Sequence, residues 1–330
     1  VIHPLVQSHW SKLEQEVLGM ELAIMVEGQN GLNWARWKRI VQAVEELGFA
    51  GLYRSDHFTN ANPPDIDSLE LWTSLTWLAD HTHRIEFGPL VTPFSFRHPA
   101  LTARMAAAVD DLSSGRLVLG VGAGWQEREH SLFGFDLFSL PERFRRFEEG
   151  LAVLHGLLRS DQPFTFEGRF YQIRGARVLP ASQRGSRLPV LVGGNGMRRT
   201  LPLAAKYADE WNAIFLPPEG FAALNRRLDH LIWQAGRSPS DVRRSMMTGL
   251  VFGKDQPAFE ARLHARSGGM WGAEELKQRG LVVGTPCEVI EQIERLSAAG
   301  AQRLMLQWLD LDDLAGLEDL ARLVNDAGSK

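Results

Sequence analysis

Sulfur is scarce in this chain: a single cysteine, Cys287, stands among 330 residues. One thiol cannot close an internal disulfide or build a thiolate metal cage, and it fits a reducing, cytoplasmic setting. Long apolar runs are missing too. No stretch reaches the roughly 18 uncharged apolar residues that a membrane span needs, and no secretory signal is read. Nor does charge of one sign accumulate. The formal net charge is -4, and arginines are interspersed with acids, so there is no basic field for nucleic acid. What remains is ordinary globular composition, 44% hydrophobic and 23% charged, with enough apolar mass for a sizeable core. Because α/β barrels often reach this length as one unit, the expectation is a single domain over 20–330, preceded by a polar leader at 1–19 that packs outside the core.

The densest stretch is Gly115 to Glu129, GRLVLGVGAGWQERE. After Arg116 an unbroken apolar run of strand length suits a strand covered on both faces in a parallel sheet. Gly120, Gly122 and Gly124 then strip its end of side chains, so that another backbone or a planar ligand can approach closely. The charged segment Trp125, Gln126, Glu127, Arg128 follows at the carboxyl end of a strand, where α/β proteins place their ligands. GVGAG is not the spaced G-x-G-x-x-G dinucleotide fingerprint, and a tight turn alone is the plainer reading.

Around it, strands and helices alternate. Strands are read at Leu22 to Val26, Gly51 to Ser55, Ile85 to Thr92, Arg116 to Val121, Val190 to Val192, Glu210 to Phe215, Met246 to Phe252 and Arg303 to Trp308. Helices follow at Trp34 to Leu47, Leu69 to Ala79, Pro99 to Leu112, Pro141 to Leu158, Arg198 to Tyr207, Phe221 to Gln234, Glu288 to Ala299 and Leu314 to Val324. Two insertions interrupt the repeat. A hairpin over Phe164 to Ile173, with a further short strand at Val178 to Leu179, follows the fourth unit, and a poorly patterned segment from Lys254 to Gly284 could serve as a mobile lid in the seventh. Eight βα units select a (β/α)8 barrel over an open doubly wound sheet.

On such a barrel, the residues just after each strand share one rim. Asp56 and His57 fall there after the second strand, Thr92 to His98 after the third, Trp125 to His130 after the fourth and Gly193 to Arg199 after the fifth. His57 reads either as a structural histidine bonded to Asp56 or as a functional group, and the rim placement favours function. Gly193, Gly194, Asn195 and Gly196, ahead of a helix carrying Arg198 and Arg199, make a plausible phosphate cradle; the plainer reading is a flexible turn. His81 and His83 resemble metal ligands but close a helix on the opposite side of the barrel, so no metal site is expected. Glu127 and Glu129 read as solvated loop carboxylates rather than a glycosidase pair.

SDHF at Ser55 to Phe58, GPLVTPFSFRHP at Gly88 to Pro99, SSGRLVLGVGAGWQEREHSLFGF at Ser113 to Phe135, ERFRRFEEGLAVL at Glu142 to Leu154 and GGNGMRRTLPLAAKYADEWN at Gly193 to Asn212 occur in one order. Together they resemble the bacterial luciferase-like superfamily of flavin and deazaflavin oxidoreductases, most closely its branch using coenzyme F420. The resemblance implies hydride transfer between F420 and a small organic substrate. FMN is the alternative cofactor, in a monooxygenase that uses oxygen and a partner flavin reductase; a non-catalytic flavin-binding protein is a second alternative. It also implies a homodimer, a bulge at Pro89, Leu90 and Val91 under the cofactor ring with a cis peptide between Pro89 and Leu90, Asp56, His57 and Thr92 near the ring edge, and Gly193 and Gly194 at the phosphate. His57, Glu127 and His130 are the candidate proton carriers. Pro89 stands where a small residue is more usual, and Trp125 follows GAG where sugar-phosphate members have an acid, which argues against a sugar-phosphate dehydrogenase.

Overall fold

Apolar runs punctuated by glycine become a parallel barrel. The computed structural model describes residues 20–182, 184 and 188–328; the leader at 1–19 lies outside the described residues. Its elements are β1 (Glu21–Val26), α1 (Trp34–Glu46), β2 (Gly51–Arg54), α2 (Leu71–His81), β3 (Glu86–Pro89), β4 (Thr92–Pro93), α3 (Pro99–Leu112), β5 (Leu119–Gly122), α4 (Glu127–Phe133), α5 (Leu140–Leu158), β6 (Phe164–Glu167), β7 (Gln172–Ala176), β8 (Val190–Gly193), α6 (Thr200–Tyr207), β9 (Glu210–Ile214), α7 (Pro218–Gln234), β10 (Arg243–Phe252), α8 (Gln256–Ser267), α9 (Ala273–Gln278), β11 (Val282–Gly284), α10 (Pro286–Ala298), β12 (Arg303–Trp308) and α11 (Leu314–Gly328).

The strands pair in the order β3-β2-β1-β12-β10-β9-β8-β5-β4, every neighbour parallel. β3 and β4 are two halves of one irregular stave, and the bridge from Phe87 to Leu117 brings β3 back to the run entering β5. That closes the ring, giving the (β/α)8 barrel read from the sequence. Among the described residues no helix is long and apolar enough to cross a membrane.

Inside the ring, Ala23, Met25, Tyr53, Val118, Leu191, Met247 and Met305 pack into one apolar plug, with Leu90, Val91, Ile214 and Phe215 around it. At the amino ends of the strands, Arg303 is buried and its guanidinium meets Glu21, Glu86, Glu210 and the Tyr53 hydroxyl. Burial pulls against the charge on Arg303, but the surrounding acids hold its pKa above the ordinary arginine value. This plug fixes the strands whose other ends carry the chemistry.

Five local readings need correction. The third strand is broken: Pro89 has no N–H to continue a ladder, Leu90 N–H turns to the Arg54 carbonyl at 2.7 Å, and the cis peptide joins Leu90 to Val91, not Pro89 to Leu90. The segment carrying Glu127 and Glu129, read as loop, holds α4, whose seven residues are too few to show apolar periodicity. Val178–Leu179 forms no strand; Leu179 is exposed and joined to Pro180 by a cis bond. The Lys254 to Gly284 segment folds as α8, α9 and β11, with Asp255 capping Ala258 N and Gly268 ending α8 in a left-handed turn. Its pattern is faint because α8 buries only Phe259 and Ser267. Finally, α6 starts at Thr200, so Arg198 and Arg199 sit before the helix and not in its first turn.

Candidate active site

The bare end of β5 receives a neighbouring backbone. A Cβ on Gly120 would collide with the Pro89 carbonyl oxygen, one on Gly122 would press on the Val91 side chain, and one on Gly88 would strike the Val118 carbonyl. The alternate glycines therefore accommodate the broken β3–β4 stave. Through them Val91 reaches the barrel mouth, where it also approaches Gly193.

Beyond this floor, α4 carries the decisive group. Acids in its first turn suit the helix N-terminus, and Gly134 stops it in a left-handed cap. That short turn of helix buries Glu129 and His130 on one side. Glu129, read from the sequence as solvated, is 1% exposed. Its Oε1 lies 2.8 Å from His57 Nδ1, and its Oε2 accepts the Phe58 amide at 2.9 Å. Accordingly His57 is bonded to Glu129, not to Asp56. With Nδ1–H donating to the carboxylate, Nε2 is left for exchange with a ligand, and no described residue bonds to it. Burial disfavours imidazolium at His57, but the hydrogen bond and charge of Glu129, helped by Glu27 and Asp56, raise its pKa above the ordinary value.

Asp56 is held elsewhere. Thr92 Oγ1 donates to its Oδ2 at 2.6 Å, and Arg97 pairs with the same carboxylate while also reaching Glu70 at 2.9 Å. Arg97 thus stitches the loops after β2 and β4 together beside His57. A second polar chain crosses the mouth from β1 to β12: Gln307 donates to Glu27 at 2.8 Å, Gln29 donates to Glu27 at 2.9 Å, and Ser55 donates to Gln29 at 2.7 Å.

Two of the three candidate proton carriers lie apart from this pair. His130 is buried; its Nδ1–H donates to the Gln126 carbonyl at 2.7 Å and its Nε2 accepts from Ser95 Oγ at 2.7 Å. Burial lowers its pKa against the opposing pull of Gln126 and Glu129, so it is a neutral clamp between α4 and the loop after β4. Glu127 is exposed at the start of α4 and makes no hydrogen bond to a described residue.

The glycine loop after β8 is split in its roles. Gly194 N–H is already given to the Asn212 carbonyl at 2.9 Å, and the Asn195 side chain is tied to both the amide and the carbonyl of Ile214. These two residues shape the loop: Gly194 has φ +125°, a conformation open to glycine. By contrast, the amides of Asn195, Gly196, Met197 and Arg198 find no acceptor among the described residues. Arg198 is exposed beside them, whereas Arg199 stacks on Phe144. Free amides and a guanidinium at the carboxyl end of a barrel strand suit a phosphate.

Sequence reasoning missed Glu129, Arg97 and Gln126, which donates to Thr59. The available signal was the capped pattern around EREH, acids first and glycine last. Read as a helix, it places Glu129 and His130 side by side on its inner face.

The comparisons with known proteins give the family. A family profile described as luciferase-like monooxygenase matches residues 20–270. The 4-hydroxyprotoasukamycin monooxygenase of Streptomyces nodosus subsp. asukaensis is 27% identical over 315 residues, covering 86% of this chain and 82% of that protein. An F420-dependent glucose-6-phosphate dehydrogenase of Microbacterium testaceum is 30% identical over 217 residues, 64% of this chain and 62% of that one. Among solved structures, an F420-dependent secondary alcohol dehydrogenase in complex with an F420-acetone adduct superposes with a TM-score of 0.80 at 20% identity, over 92% of this chain and 98% of that one. The chain belongs to the luciferase-like monooxygenase family and is an oxidoreductase of that family.

Proposed function

We propose that this enzyme transfers a hydride between coenzyme F420 and a small organic substrate, with His57 carrying the accompanying proton. The observation that supports this reading is the pairing of half-buried His57 with the buried Glu129 carboxylate at the barrel mouth. Oxidising an alcohol, or reducing a carbonyl, moves a proton at oxygen as a hydride moves at carbon. A histidine of raised pKa, fixed through Nδ1 and free at Nε2, is suited to that exchange.

The residues fit a planar, phosphorylated cofactor. Leu90, Val91, Met247, Ile214 and Phe215 offer an apolar floor, and the amides of 195–198 with Arg198 offer an anion cradle. The deazaflavin would supply the hydride-accepting carbon. The chain's own residues do the rest: Glu129 fixes the ring of His57, Arg97 and Thr92 hold Asp56 in place, and Trp125 covers the edge of His57 against water.

Side-by-side fluorescence titration tests the cofactor. F420 should bind more tightly than FMN; tighter FMN binding would favour an oxygen-using monooxygenase with a reductase partner. The cradle has its own test. Arg198→Ala should weaken F420 by about 10- to 100-fold, the loss of one charge-assisted bond. A cofactor fragment lacking the phosphate should be indifferent to that change, and equal losses for fragment and whole cofactor would place the phosphate elsewhere.

A further inference from the structure

A cavity of about 310 Å³ lies between the segment after β4 and the turn joining α4 to α5. It is separate from the barrel mouth, since neither His57, Val91 nor the glycine loop after β8 lines it. Its volume is at the lower end of ligand pockets, room for a ring and one substituent. Phe96, Phe135 and Phe138 supply aromatic walls.

The polar lining is short of negative charge. Arg146 enters from α5 between the rings of Phe138 and Tyr171. Its Nε donates to the Tyr171 hydroxyl at 2.9 Å and its Nη1 reaches only the Asp136 carbonyl, at 3.4 Å, so Nη2 has no acceptor among the described residues. The acids that flank it on α5 are engaged elsewhere: Glu142 pairs with Arg169, and Glu149 accepts the amides of Arg169, Phe170 and Tyr171. The other guanidinium on the lining, Arg97, is already paired with Asp56 and Glu70. His98 adds a neutral donor: its Nδ1 accepts the Ala100 amide at 3.2 Å, which leaves the proton on Nε2. A guanidinium partly shielded by two rings and lacking an acid partner attracts an anion, and its planar edge matches a carboxylate.

We propose that this cavity binds a small aromatic carboxylate, with the carboxylate on Arg146 and the ring against Phe138, at a site apart from the reaction centre. The ligand would rest on the segment that also orders the rim, where Ser95 holds His130 and Arg97 holds Asp56.

Calorimetric titration of benzoate into the whole chain is the test, with benzamide as the neutral isostere and inorganic phosphate as the anion without a ring. Benzoate should bind at a single site in the millimolar range, the scale expected of so small a ligand. Benzamide should bind at least about tenfold more weakly, having lost the charge-assisted pair. Arg146→Gln should weaken benzoate by about 10- to 100-fold. Arg145→Gln, which removes the same charge from the exposed neighbouring position on α5, should leave it unchanged. Phe138 is exposed, so Phe138→Ala remains readable even if Arg146→Gln fails to fold; it should weaken benzoate several-fold and leave phosphate unaffected. Saturating F420 should not displace benzoate. Absence of saturable binding, equal affinity for benzamide, tighter binding of phosphate, equal losses in Arg146→Gln and Arg145→Gln, or displacement by F420 would overturn the proposal. A fall in molar mass by light scattering in Arg146→Gln or Phe138→Ala would also overturn it, by showing that a second copy of the chain covers the cavity.

Discussion

His57→Asn should lower turnover by about 10²- to 10⁴-fold while F420 still binds, because the proton that accompanies the hydride loses its carrier. Glu129 acts through His57 and is a positioning residue, so its signature differs. Raised pKa at His57 means that the neutral base appears at higher pH than on an unperturbed histidine. Alcohol oxidation should therefore increase with pH through that value, and carbonyl reduction should decrease. Removing the charge in Glu129→Gln takes away the chief raising influence, so the limb of the profile should move to lower pH as the maximal rate falls. KM should change little, and Glu129→Asp should restore part of both effects. The same shift has a stability consequence: the extra stabilisation from His57 is complete below the unfolded pKa of about 6.5 and lost as pH rises through the folded value. An unmoved pH limb in Glu129→Gln would reduce Glu129 to a helix-packing residue.

Arg303→Met should cost about 3–5 kcal/mol in unfolding experiments, since it leaves the carboxylates of Glu21, Glu86 and Glu210 together at the closed end of the barrel. Its pH dependence supplies a second check. Burial raises the pKa of Glu86, but Arg303 and Arg243 outweigh it and hold the folded value below the ordinary one. In the native chain this contribution is present above about pH 4.5 and lost as pH falls through the folded value. Without Arg303 the sign reverses, because protonation relieves the crowded carboxylates. The stability gap between variant and native chain should then narrow on acidification, and a gap that stays constant across pH would contradict the role assigned to the cluster.

Barrel topology was legible because parallel strands buried on both faces leave long apolar runs, and the capped helices between them leave an alternating pattern. β12 and α3 were read to the residue. Glu129 was not, because its burial depends on α4 turning back against the loop after β2, a contact between residues 72 apart that no local pattern encodes. Gly194 was read as an anion donor, yet its amide is taken by Asn212, a partner visible only once β8 and β9 lie side by side. His130 illustrates the same limit. A histidine on the active-site rim looks like a proton carrier until its two nitrogens are seen to be occupied by Gln126 and Ser95.

The central claim, hydride transfer to or from an organic substrate with His57 moving the proton, is tested most directly by single-turnover oxidation of reduced F420 with 2-octanone, run with and without oxygen. The account predicts the same rate in both, slowed by His57→Asn. Oxidation that needs oxygen, or that proceeds unchanged in His57→Asn, would contradict it.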